Sequence, residues 1–68
     1  MQVKIFLEWF SNQERIYYPE IDARNCWSVA NILHELGFLE LHSSGTGRKE
    51  DWYFTWNSVS ELKNLLGR

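Results

Sequence analysis

The chain reads as a single α+β domain with two helices packed on one face of a three- or four-stranded, mostly antiparallel sheet. The expected order is strand, optional second strand, helix, strand, strand, helix. Three observations lead there. Apolar alternation with period two over residues 3–10, 39–42 and 51–56 marks strands. Apolar residues spaced i, i+3, i+4 and i+7 over 22–36, with a similar face over 58–66, mark helices. The length, 68 residues, leaves room for one core.

Val3, Ile5, Leu7 and Trp9 alternate with Lys4, Phe6, Glu8 and Phe10, which predicts a strand with one wholly apolar face turned inward. Ser11-Asn12-Gln13-Glu14 is a polar break. Arg15-Ile16-Tyr17-Tyr18 then reads as a short return strand stopped by Pro19, the only proline. From Asp22 to Leu36, Val29, Ile32, Leu33 and Leu36 form one helical stripe, with Asp22 or Asn25 available to cap its start. Gly37 suits the left-handed position after a helix, with Phe38 folding back to touch Leu33.

Leu39-Glu40-Leu41-His42 alternates again. A glycine-containing loop over 43–50 leads into the aromatic strand 51–56, so the two strands make a hairpin. Ser58-Val59-Ser60-Glu61 matches a capping box opening a last helix, whose Val59, Leu62, Leu65 and Leu66 share a face before Gly67. The expected core is Val3, Ile5, Leu7, Val29, Ile32, Leu33, Leu41, Phe54, Leu62 and Leu65.

Seven basic and nine acidic residues give a net charge of −2, with the signs mixed, so no general electrostatic grip on nucleic acid or anionic membrane is implied. Cys26 is the only cysteine, which excludes an internal disulfide and favours a reducing, cytosolic setting. The first residues lack the pattern of an export signal. No apolar run approaches the ~20 residues that span a bilayer, and no cofactor-binding pattern is present.

Enzyme chemistry finds little footing. Cys26 and His34 lie eight residues apart on one expected helix, ~12 Å by the helical rise, too far for a nucleophile and its base. Cys26, His34 and His42 lack the close pairing of structural zinc ligands. Glu35 and Glu40 read as solvated charges. Gly45-Thr46-Gly47-Arg48-Lys49 has glycines and cations suited to an anion. A phosphate cradle, however, joins a strand to a helix, and this loop joins two strands and runs into Glu50-Asp51.

From residue 26 onward, the helix, Gly-Phe, hairpin and helix loosely resemble small RNA-targeting toxins of the double-stranded-RNA-binding fold. Those want Gly-Ser-His on the following strand, where this chain has His42-Ser43-Ser44-Gly45. The first half resembles a winged helix, which needs more helix before residue 26 than the pattern supplies. No residue role is carried over from either.

The informative surplus is aromatic: four Trp, three Tyr and four Phe. With both helices on the face bearing Val3, Ile5, Leu7, Leu41, Trp52 and Phe54, the reverse face presents Lys4, Phe6, Glu8, Phe10, Glu40, His42, Tyr53 and Thr55. Exposed rings stack on unpaired bases or anchor protein interfaces. Glu8 and Glu40 repel phosphates, so the expected partner is a protein, held by Phe6, Glu8, Phe10, Glu40, His42 and Tyr53. A homodimer through the same face, or strand addition at a sheet edge, is open. The alternative is RNA or single-stranded DNA, bound by the 44–50 loop with Arg48 and Lys49 on phosphates and Trp52 or Tyr53 on a base. A chain of this size resembles the small inhibitors and accessory proteins that phages and other mobile elements encode. A non-catalytic role follows from that expectation.

Overall fold

The computed structural model describes residues 3–43, 45 and 47–67. The chain runs α1 (Val3–Phe10), β1 (Ile16–Tyr17), α2 (Tyr18–Arg24), α3 (Trp27–Glu35), β2 (Leu39–His42), β3 (Tyr53–Trp56) and α4 (Val59–Leu66), with a 3-10 turn at Lys49–Asp51. Among the described residues the strands form one antiparallel sheet in the order β1-β3-β2, so the α+β class holds.

The first element is a helix, not the expected strand. Its eight residues satisfy both periods, because Val3, Phe6, Leu7 and Phe10 also lie at i, i+3, i+4 and i+7. The helix buries the larger side chains. Phe6 and Phe10 are fully buried with rings 4.9 Å apart, while Ile5 is exposed. A strand would have left both phenylalanines beside Lys4 and Glu8 in water.

Trp56 fastens the end of α1. Its ring meets Phe6 edge-on at 5.9 Å, and its indole Nε1–H donates to the Phe10 carbonyl at 3.0 Å, which also accepts from the Gln13 N–H at 3.1 Å. Trp56→Phe keeps most of the ring and removes the donor, so urea unfolding should show a loss of about 1–2 kcal/mol. An unchanged midpoint would mean that water serves the carbonyl equally well.

The helix expected over 22–36 is two helices. Asn25 takes the left-handed conformation (φ 52°, ψ 48°), its N–H donating to Asp22 O at 3.1 Å while Cys26 N–H donates to Ile21 O at 3.2 Å. Asparagine tolerates this conformation better than most residues, so Asn25 ends α2 and does not cap α3. Pro19 stops β1 by standing in the first turn of α2, where its missing N–H costs nothing, and the Glu20 carboxylate accepts the Tyr17 N–H at 3.1 Å.

The other local signals act largely as expected. Gly37 has φ 89°, Phe38 N–H donates to Leu33 O at 2.9 Å, and Gly37 N–H to His34 O at 3.1 Å. Ser58 does stand at the start of α4, but the expected capping box does not form: its side chain makes no cap bond to the backbone and its Oγ–H donates to the Glu61 carboxylate at 2.9 Å. Leu7, Val29, Leu33, Phe54 and Leu62 are buried, with Val3 and Leu41 packed at the margin. Ile5, Ile32 and Leu65, expected in the core, are exposed; Phe6, Phe10, Ile16, Ile21, Cys26, Ala30 and Leu39 complete it.

The elements thus follow the order helix, strand, two helices joined by a tight turn, hairpin and helix, with the sheet ordered β1-β3-β2. The helix that the winged-helix resemblance needs before residue 26 is present after all, as α1 and α2.

Candidate functional site: the outer face of the sheet

Strand register sorts the sheet residues onto two faces. Ile16 pairs with Phe54 and Leu41 with Phe54, while Leu39 pairs with Trp56; these turn toward the helices. Tyr17 pairs with Tyr53, His42 with Tyr53, and Glu40 with Thr55; these make the outer face.

Three rings cross the sheet in a row on that face. Tyr53 is central, with the His42 ring nearly parallel to it (14°) at 5.0 Å and the Tyr17 ring at 5.4 Å. The Arg15 guanidinium lies over the Tyr53 ring at 4.8 Å from its centre. Arg15 Nη1–H also reaches the Tyr17 hydroxyl at 3.5 Å, while His42 Nε2 and Thr55 Oγ1 are hydrogen-bonded at 2.8 Å. The α1–β1 loop borders this row, and an open groove of about 510 Å³ runs between Asn12, Gln13, Glu14 and Arg15 on one side and Tyr53 and Thr55 on the other.

Of the residues expected on this face, Glu40, His42, Tyr53 and Thr55 do share it. Phe6 and Phe10 do not: both are in the core, because α1 is helical. Glu8 and Lys4 are exposed on α1 and border a different groove, against Lys63 and Leu66 of α4. Tyr17 and Arg15 belong to the row although the expected site omits them. Their signal is the alternation Arg15-Ile16-Tyr17, which sends Ile16 inward and its neighbours outward.

The residues of the nucleic-acid alternative are not drawn into one surface. Trp52 packs edge-on against Tyr18 at 5.7 Å, and its Nε1–H is buried without a hydrogen-bond partner. Tyr18 in turn stacks on Phe54 and meets Trp27, so Trp52 belongs to the inner aromatic cluster. Arg48 is paired with Glu50 at 3.0 Å, both largely exposed. Lys49 borders a pocket of about 310 Å³ with Trp27, Asp22 and Glu50. Ser44 and Thr46 of the 44–50 loop lie outside the described residues.

Cys26 is fully buried, its thiol donating to Ile21 O at 3.6 Å, and burial pushes its pKa up, toward the unreactive neutral form. His34 is exposed, its ring 5.7 Å from that of Phe54. Among the described residues no three His, Cys, Asp or Glu side chains converge to hold a metal ion, and no helix is long and apolar enough to cross a membrane. No protein-family model, curated protein or solved structure matches the chain.

Proposed function

We propose that the chain is a non-catalytic module that binds another protein through the outer face, with Tyr17, Tyr53, His42 and Arg15 at the centre of the contact. The observation that carries this is the placement of Tyr53. His42 flanks its ring from the β2 side and Arg15 from the β1 side, so both flanks are engaged within the chain. With both flanks engaged, the Tyr53 ring offers a base little face to stack on. Tyrosine and arginine dominate the energetic centres of protein interfaces, and rings already held in place lose little entropy on docking. Glu40 and Glu14 at the rim disfavour phosphate and suit a partner of mixed charge. The role in view is that of a cytosolic inhibitor or accessory protein, of the kind mobile elements encode.

Affinity capture from the native host's lysate tests this, using the wild type and a Tyr17→Ser/Tyr53→Ser variant shown by circular dichroism to be folded. The variant should lose its partner, with affinity down ~30-fold or more, as for removal of interface hot spots. Recovery of the same proteins by both would place the interface elsewhere.

One observation favours nucleic acid as a second reading: the helix before residue 26 that the winged-helix resemblance needs, with Arg48 and Lys49 on the hairpin loop. Against it, α3 carries no Lys or Arg and presents Glu35. If that reading holds, gel shifts on single strands should weaken steeply with salt, and Arg48→Gln/Lys49→Gln should flatten the log–log slope by roughly 1–1.5. Absence of binding in low salt removes it.

A further inference from the structure

We infer that two copies of the chain join edge to edge through β2, extending the sheet across a two-fold axis at Leu41. This goes beyond the outer-face reading: the contact is the edge of β2, and it shares only Glu40 and His42 with that face. β2 is an edge strand. Asn57 N–H donates to Phe38 O at 2.9 Å, which sets the phase of the β2–β3 ladder: Phe38, Glu40 and His42 turn their main-chain groups toward β3. Leu39 and Leu41 therefore turn theirs out of the sheet. Among the described residues, none of the main-chain bonds outside the helices and strands involves either of them. No proline, lysine or bulge over 39–42 protects that edge.

Charge selects the register. Only Leu39 and Leu41 can bond across the edge, which leaves three symmetric antiparallel pairings. Leu39 bonded to Leu41 of the second copy would set Glu40 against Glu40, a repulsive pair. Leu39 bonded to Leu39 would spend the contact on Phe38 and Gly37. Leu41 bonded to Leu41 sets Glu40 of each copy opposite His42 of the other, twice. The Cβ atoms of such facing residues lie ~4.5–5.5 Å apart, within reach of both side chains. In the tautomer whose Nε2 accepts from the Thr55 hydroxyl, Nδ1–H is left to donate to the Glu40 carboxylate.

The helices agree with this placement. α3 packs beside β2, and the His34 ring leans toward Phe54 of β3. At ~100° per residue, Ile32 and Leu36 each stand about 160° round the helix from His34, on the side turned away from the Phe54 ring that His34 meets. They are 51 % and 67 % exposed. Antiparallel continuation of a sheet keeps both copies' helices on the same side, which brings the two Ile32–Leu36 flanks together and buries them.

Sedimentation velocity and amide exchange on the full chain test the proposal. The wild type should pass from monomer to dimer with rising concentration, and the Leu39 and Leu41 amides should gain protection over the same range. His42→Glu should weaken the dimer by roughly tenfold, since it sets like charges opposite at two symmetric positions, and Glu40→Lys should weaken it similarly by removing the carboxylate that accepts from each His42. The double variant Glu40→Lys/His42→Glu should restore it, a rescue that misfolding would not give. Ile32→Asp, at an exposed site, should weaken it as well. A monomer up to millimolar concentration overturns the inference. So does a dimer that Tyr53→Ser dissociates while Glu40→Lys leaves it intact, which would put self-pairing on the aromatic face.

Discussion

Phe6→Ala is expected to destabilise the fold by ~3–5 kcal/mol, the usual range for emptying a buried phenylalanine site, while Ile5→Ala next to it should cost under ~1 kcal/mol. Phe6 is fully buried against Phe10 and Trp56, and alanine there leaves a void beneath the indole that ties α1 to the sheet. Ile5 is 38 % exposed, and alanine is the better helix former, which offsets part of the lost contact. Urea titrations followed by tryptophan fluorescence read both values. A domain of this size has a few kcal/mol to lose, so the Phe6 variant should be largely unfolded at room temperature. Were residues 3–10 a strand with Ile5 inward, the two variants would exchange places.

That pair of substitutions probes the position where the sequence was least decisive. Val3 to Phe10 carries apolar residues at both periods, and nothing inside eight residues breaks the tie. It is broken by tertiary structure: a helix buries two phenylalanines where a strand would bury Ile5 and Trp9. Asn25 presented a similar ambiguity, since a short amide side chain suits both a helix start and a left-handed helix end, and only the turn into α3 distinguishes them.

Where local signals agreed, the reading held. Gly37-Phe38, the 39–42 and 51–56 alternation and Ser58 each combine periodicity with a terminus or turn residue; the second helix end, the hairpin and α4 stand close to where they are expected, although the last strand is only Tyr53–Trp56, Lys49–Asp51 forming a 3-10 turn, and the Ser58-Glu61 capping box does not form. The site divides along the same line. Glu40, His42, Tyr53 and Thr55 were legible because the hairpin fixes their parity, and Phe6 and Phe10 were misplaced with α1. The parity of Arg15 and Tyr17 is legible in the alternation about Ile16, but that they lie beside Tyr53 follows only from the pairing of β1 with β3.

Phe54→Ala and Tyr53→Ala, one residue apart on β3, should separate stability from binding. Phe54 sits on the central strand between Ile16 and Leu41, with Tyr18 stacked on its ring at 5.6 Å and 29°. Its truncation should cost ~3–5 kcal/mol and release Tyr18, Trp27 and Trp52 from their shared packing. Tyr53 points the opposite way, half-buried between His42 and Arg15, and its truncation removes contacts that water largely replaces. A stability loss of about 1 kcal/mol or less is expected there. The affinity for a captured partner should nonetheless fall for Tyr53→Ala by ~30-fold or more, the scale of a hot-spot truncation. Phe54→Ala should lower apparent affinity only in proportion to the fraction unfolded, so raising the concentration of folded protein restores binding in that variant alone. Equal stability losses at the two positions would mean that the outer face is covered as well, and a Tyr53 variant that binds normally would remove the row from the interface.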